Sequence, residues 1–325
     1  METDRLFELR RRTFDTPHFR GIEFIEVEAK SIINHVPGNY LPFNWTINPY
    51  RGCSHACTYC FARSTHTYMD MNAGSDFENK IVVKVNAPEL LRKELRARRW
   101  KGEHIAMGTA TDPYQRAEGR YKLMSRIIST LTEYRNPFSI LTKGTLILRD
   151  LDLLLQAAEV TDVSTAFSVG TVDEQVWNAS EPGTPHPRKR LEAVAKLNAA
   201  RIPCGVMIAP VLPGISDSPE HLRSVIEAAI DAGATHVSPI LLHLRPYVKD
   251  VYMEWLSATY PDLVPRYQSM YRKGAYASVA ARNDLSEKVK DVLGSLPAAS
   301  IPTGRNRKRP DKETLLMKRE QLSLL

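Results

Sequence analysis

Short, nearly continuous apolar runs alternate along the chain with stretches of helical period. Strand candidates are Thr46–Pro49, His104–Gly108, Phe138–Thr142, Val163–Val169, Cys204–Val211 and His236–Leu242. Runs such as CGVMIAPV, apolar at almost every position, are what strands covered on both faces look like. Between them the pattern predicts helices over Pro88–Arg98, Arg120–Glu133, Leu151–Ala158, Pro187–Ala200 and Pro219–Ala232. Pro88 and Pro219 suit first-turn positions, and Asp150 and Asp217 or Ser218 are candidate caps. Alternation of strand and helix at this spacing predicts parallel βαβ units. Six such strands form either a doubly wound sheet or an incomplete (β/α) barrel, and periodicity leaves both open.

The flanks differ. Residues 1–44 mix short apolar stretches with Pro17, Pro37 and Pro42 and read as an N-terminal extension on the core. The core spans 45–245, and 246–296 read as a helical C-terminal extension. The tail, 297–325, begins with PAASIPTGRNRKRPDK, which lacks apolar periodicity and reads as a flexible linker.

Charge adds a partner class. The net charge is +7, from 44 Lys and Arg against 37 Asp and Glu. Residues 301–325 carry seven basic side chains against three acidic ones, so more than half of the excess lies in the tail. A basic tail suits an anionic partner such as nucleic acid, or serves as a solvated end. No apolar run approaches the roughly 18 residues of a membrane span. The charged N-terminus has no signal-peptide segment, which places the chain in the cytosol, where clustered cysteines mean metal or redox chemistry.

Three of the four cysteines, Cys53, Cys57 and Cys60, lie in NPYRGCSHACTYCFAR with the spacing C-x3-C-x2-C. Structural zinc takes four closed ligands, and His55 or His66 is the candidate fourth. An iron–sulfur cluster ordinarily takes four cysteines. Cys204 lies far off in an apolar run and reads as an inert core residue. A three-thiolate cluster keeps one iron open to an outside ligand. The triad directly follows the first strand of the α/β core, where loops at carboxyl ends of strands collect active sites. Gly52 allows a tight turn into the loop, and Tyr59 and Phe61 flank the third cysteine as shields.

Taken with GTATDPYQRAE (108–118), ILTKG (140–144), AFSVGT (166–171), EPGTPHPRKRLEAVAKLNAA (181–200) and MIAPVLPGISD (207–217), the cysteine motif resembles the radical S-adenosylmethionine (radical SAM) enzymes, in their spore photoproduct lyase-like branch. The resemblance covers about residues 45–245. It implies a partial (β/α)6 barrel and a [4Fe–4S] cluster on Cys53, Cys57 and Cys60. SAM completes that cluster, and one electron splits its sulfonium into methionine and a 5′-deoxyadenosyl radical that abstracts hydrogen from a substrate. It also implies a low-potential electron donor of flavodoxin or ferredoxin type.

Against SAM, the small residues Gly108, Thr109, Ala110 and Thr111 let backbone carbonyls approach the ammonium. Thr111 resembles the SAM-contacting hydroxyl residue of the lyase branch. Asp112 is a candidate for the ammonium or ribose, or for capping a turn with Pro113. Lys143 resembles the family lysine near the SAM carboxylate, and Ser168 a ribose-contacting serine. Glu181, His186, Arg188 and Arg245 are candidates for facing substrate or are surface charges.

Two departures matter. Spore photoproduct lyase has a hydrogen-donating cysteine just before the position matched by Thr111, and this chain has Thr109 and Ala110 there. It has a tyrosine after the third cluster cysteine, and this chain has Phe61. Both argue against the same thymine-dimer reversal and leave DNA or another nucleic acid, for repair or modification, as the candidate substrate. The chain ends in Gln321-Leu322-Ser323-Leu324-Leu325. QLSLL resembles the peptide by which bacterial repair and replication proteins dock on the DNA sliding clamp. The other reading is an amphipathic tail helix over Thr314–Leu325. A non-catalytic iron–sulfur redox sensor on DNA or the clamp, and a structural zinc module, are the alternatives to an enzyme.

Overall fold

The computed structural model describes residues 10–38 and 41–296. Eleven strands are present among them: β1 (Arg10–Thr13), β2 (Glu23–Val27), β3 (Ile33–His35), β4 (Trp45–Ile47), β5 (Tyr50–Arg51), β6 (Lys80–Lys84), β7 (Ile105–Met107), β8 (Phe138–Thr142), β9 (Val163–Ser168), β10 (Cys204–Val211) and β11 (Val237–Leu241). The main sheet runs β11-β10-β9-β8-β7-β4-β3. Its first six members are parallel, and β3 adds antiparallel to β4. The six parallel strands are those the apolar runs predict. They form a partial barrel that stays open between β11 and β4, with β3 extending the β4 edge.

Helices Ala87–Arg96, Leu123–Glu133, Leu151–Val160, Pro187–Ala199 and Pro219–Asp231 link successive strands. Each turns an apolar stripe to the sheet: Leu91 and Leu95, then Ile127, Ile128 and Leu131, then Leu154 and Ala157, then Val194 and Leu197, then Val225, Ile226 and Ala229. These links bring the carboxyl ends of all six parallel strands to one rim. Helices Val248–Thr259, Val264–Met270 and Val279–Gly294 follow.

Two local expectations change. The helix expected over Arg120–Glu133 is two, Arg116–Tyr121 and Leu123–Glu133, broken at Lys122 with φ +49°. The buried Glu118 carboxylate causes the break to hold, because it accepts the backbone N–H groups of Leu123 and Met124 at 2.9 and 3.1 Å. It thus serves the otherwise orphaned donors of the second helix. Asp150 sits at the start of Leu151–Val160 but does not cap it. Its carboxylate accepts instead from Tyr114 Oη at 3.0 Å and Ser125 Oγ at 2.8 Å. Ser218, not Asp217, caps Pro219–Asp231.

The N-terminal extension pairs into a sheet separate from the main one. β1 and β2 join β6 and β5 in a second sheet of order β1-β2-β6-β5, and Phe24 is fully buried. This sheet abuts the cysteine loop, since Cys53 N donates to Phe77 O just before β6. The terminal QLSLL segment and the whole 297–325 tail lie outside the described residues.

Candidate active site

The cysteine loop leaves β5 through Gly52, at φ +84°. A Cβ there would stand 2.8 Å from the His66 ring and 2.9 Å from Lys80 O, so both the conformation and the space call for glycine. Ala56 also takes a left-handed conformation, at φ 53°, and lets the chain turn between Cys53 and Cys57. A short 3-10 helix, Phe61–Thr65, follows Cys60. Its Arg63 is buried, and its guanidinium donates to Cys57 O, Ala73 O, Gly74 O and the Glu78 carboxylate. One buried cation thereby ties the loop to the chain that follows it.

A second brace comes from the segment after β9. Thr58 N donates to Ser180 O, and Gly183 N donates to His55 O, both at 3.0 Å. A Cβ on Gly183 would lie 2.2 Å from Ser54 O. This is the physical sense of the EPG motif: its glycine lies directly beneath the cysteine loop.

The strand ends meet the loop in pairs. Thr111 Oγ1 donates to Gly52 O at 2.7 Å, and Gln115 Nε2 donates to the same carbonyl at 2.8 Å. Asn48, just past β4, accepts from Ala110 N at 3.1 Å, and its amide lies 3.4 Å from Thr109 Oγ1. Asp112 accepts from Tyr114 N (2.8 Å), Thr142 Oγ1 (2.6 Å) and Lys143 N (2.6 Å), with His55 Nδ1 at 3.4 Å. Burial opposes its ionisation, but His55 and these donors outweigh it and hold the carboxyl down at about 2. Of the two sequence readings of Asp112, the turn contact with Tyr114 N is made here by protein atoms.

Lys143 Nζ donates to Ser168 Oγ at 3.0 Å, and Ser168 Oγ to Ala209 O at 2.6 Å. The same ammonium lies 5.6 Å from the centre of the Tyr59 ring. Burial would lower the Lys143 pKa, but Glu181 and Cys57 outweigh it and raise it. The Glu181 carboxylate accepts from the Tyr59 hydroxyl and from the fully buried Arg190. Arg190 also donates to Ser168 O at 2.9 Å. Burial alone would raise the Glu181 pKa, yet Arg190 and Lys143 bring it below the usual range.

All eight sequence-selected residues, the three cysteines with Thr109, Thr111, Asp112, Lys143 and Ser168, line one cleft of about 200 Å³ at the rim. Among the substrate candidates, Glu181 is buried in the network just described, and His186 caps Pro187–Ala199 while contacting Glu174. Arg188 is exposed on that helix, and Arg245 reaches over Phe61 at the cleft mouth. Asn48, Gln115 and Arg190 escaped the sequence reading. Each is an ordinary polar residue in sequence, and only its carbonyl or carboxylate partner makes it part of the site.

The thiols show what the cleft suits. Burial raises all three above their ordinary pKa, Cys57 to about 12, and neighbouring acidic groups raise Cys53 and Cys57 further. Three thiolates here need a strongly cationic centre among them, and the donor set fits an iron–sulfur cluster. Zinc would need a fourth ligand as well, such as a histidine; His55 turns Nδ1 to Asp112, and His66 Nε2 bonds Lys80 O at 2.9 Å while its Nδ1 has no partner among the described residues. Among the described residues, no three Cys, His, Asp or Glu side chains gather as a single-ion site. Cys204 is fully buried in β10 and does not line the cleft.

An open parallel barrel with a cysteine triad at its strand-end rim defines a cofactor-dependent α/β enzyme. Residues 47–229 match the radical SAM superfamily. An uncharacterized protein of Mycobacterium tuberculosis is 48% identical over 283 residues, covering 87% of this chain and 83% of its own. An uncharacterized protein of Methanocaldococcus jannaschii is 25% identical over 282 residues, 86% of this chain and 95% of its own. Among solved structures, spore photoproduct lyase complexed with dinucleoside spore photoproduct superposes with a TM-score of 0.64 at 16% identity, covering 83% of this chain and 78% of that one. A double mutant of that lyase with bound AdoMet gives 0.61 at 17% identity, over 79% of this chain and 75% of that one.

The chain belongs to the radical SAM superfamily, with the fold seen in spore photoproduct lyase. It is an enzyme whose cofactors are a [4Fe–4S] cluster and SAM. No helix among the described residues is long and apolar enough to cross a membrane.

Proposed function

We propose that Cys53, Cys57 and Cys60 hold the cluster, that the strand ends at Thr109, Thr111, Lys143 and Ser168 seat SAM, and that the enzyme acts on a nucleic acid. One observation carries the cofactor assignment: the three cysteines and the Lys143–Ser168 pair line the same cleft at the carboxyl ends of parallel strands. Bound together, the cluster and SAM supply one-electron chemistry that removes a hydrogen atom from a substrate. The chain's own residues do the placing. Lys143 presents a buried ammonium to an anionic group of the cofactor, and Asp112 holds the backbone that carries it. Glu181 and Arg190 fix Tyr59 and Ser168 on either side.

A nucleic-acid substrate is supported by the net charge of +7 and by the shared fold with an enzyme solved with a dinucleoside. The cleft gives reasons for a product other than the lyase's. Among the described residues, no thiol besides the three cysteines lines it, and Phe61 brings no hydroxyl to its rim. In this reading the electron comes from a flavodoxin- or ferredoxin-type donor in the cytosol, and Gln321–Leu325 docks on the sliding clamp.

Anaerobic reconstitution with iron and sulfide tests the assignment. The loaded protein with a strong reductant should convert SAM to 5′-deoxyadenosine, and Cys-to-Ala changes at 53, 57 or 60 should each remove the iron. A cluster without SAM cleavage would make the chain a redox sensor. Mass analysis of oligonucleotides incubated with the active enzyme tests the substrate class. Deleting residues 321–325 should abolish binding to the purified clamp, and undiminished binding sinks that part.

A further inference from the structure

Beside the cleft, three rings from distant parts of the chain form a continuous row. Phe61 follows the third cysteine, lines the cleft and is 37% exposed. Its ring centre lies 5.8 Å from that of His243, which follows β11 and lines the same cleft. His243 in turn stacks on Tyr276 at 5.4 Å and 29°. Tyr276 is 58% exposed, so the row runs from the cleft out to solvent. Backbone holds the row in place: His243 and Tyr276 pair as an isolated antiparallel bridge, and Leu244 N donates to Ala275 O at 2.7 Å.

One cation reaches the row, and two more lie in the loop that precedes Tyr276. The Arg245 guanidinium lies 5.4 Å from the Phe61 ring centre. Arg272 and Lys273 are exposed in the loop that delivers Tyr276, in the run YRKGAY. Burial and Arg245 both lower the His243 pKa, so its ring is a neutral face at pH 7 rather than a further charge. Exposed π faces joined to Arg and Lys suit a ligand with flat aromatic groups and regularly spaced negative charge. An unpaired stretch of nucleic acid has both. A duplex hides its base faces in the stack and presents phosphates and the edges of its base pairs.

We propose that Phe61, His243 and Tyr276 form a platform on which unpaired nucleobases stack beside the cleft, with Arg245, Arg272 and Lys273 on the flanking phosphates. This deepens the nucleic-acid reading of the substrate and rests on it. Single-strand binding of this kind needs no sequence motif, because every base has a π face.

Fluorescence anisotropy of the full chain with labelled single-stranded DNA, single-stranded RNA and duplex DNA, at fixed salt, tests it. The unchanged protein should bind at least one single strand more tightly than duplex. Tyr276→Ala should weaken the single strand by roughly 5- to 150-fold, as loss of about one stacked base does, while leaving duplex binding unchanged. Tyr276→Phe should restore it, since stacking and not the hydroxyl is at issue. Arg272→Ala with Lys273→Ala should weaken both forms and lower the salt slope by about 1.8 for duplex and about 1.4 for single strands. If single strands bind but Tyr276→Ala does not weaken them, the platform is wrong and the nucleic-acid reading stands. If no nucleic acid binds the unchanged protein, both fall.

Discussion

The carboxylate of Asp112 accepts the backbone N–H of Lys143 at 2.6 Å, so the loop after β7 sets the position of the residue that follows β8. Asp112→Asn would replace one accepting oxygen with an NH2 donor, facing either Lys143 N or Tyr114 N and Thr142 Oγ1. The expected cost is about 1–3 kcal/mol of stability, for a buried donor left unserved. Urea unfolding of the cluster-free protein measures it.

The same residue carries a pH signature. Its folded pKa of about 2 lies below the ordinary 3.8, against the opposing effect of burial. A lowered carboxyl contributes stability that is complete above its unfolded pKa and lost as pH falls through the folded one. The window is therefore pH 4 to 2, and the contribution is about 2 kcal/mol. The stability gap between the unchanged chain and Asp112→Asn should narrow across that window, and a constant gap would contradict the assignment.

Gly183→Ala places a Cβ 2.2 Å from Ser54 O, so the cysteine loop must shift. Iron bound per chain after reconstitution should fall sharply. Gly119→Ala is the control, because its Cβ meets nothing closer than 4.0 Å. In its helix that change should stabilise by about 0.4–1 kcal/mol. Equal iron content in both variants would refute the bracing role of the EPG segment.

Lys143→Met removes the ammonium that donates to Ser168 Oγ. Loss of a charged hydrogen bond of about 1.5–3 kcal/mol predicts SAM affinity lower by roughly 10- to 150-fold. Ser168→Ala should have a smaller effect. Equilibrium dialysis with the reconstituted protein reads both, and an unchanged affinity in Lys143→Met would remove Lys143 from the cofactor site.

Arg190→Met leaves the buried Glu181 without its guanidinium partner. The expected cost is about 3–5 kcal/mol. Adding Glu181→Gln should recover part of it, because the uncompensated charge is then gone. Thermal unfolding of the two single variants and the double variant gives the coupling directly.

Much of this was legible locally. The six parallel strands show as apolar runs because nearly all of their residues are buried or half-buried. The side sheet was not legible, since β1 is fully exposed and β5 has only two residues. The break at Lys122 was hidden for another reason: apolar spacing continues across it, and the Glu118 carboxylate that sustains it belongs to the preceding helix. Asp150 looked like a cap by position, but Tyr114 and Ser125 draw its carboxylate away.

The sequence by itself determined the cysteine triad, the order of strands and helices, and the motifs that mark the superfamily. All of these are written in neighbouring residues, through burial period, turn chemistry and spacing. Only tertiary structure decided which side chains meet. Tyr59 reaches Glu181, 122 residues along the chain, and Phe61 lines up with His243 and Tyr276. Such contacts follow from how the strands' carboxyl ends converge on one rim, and no local pattern encodes that convergence.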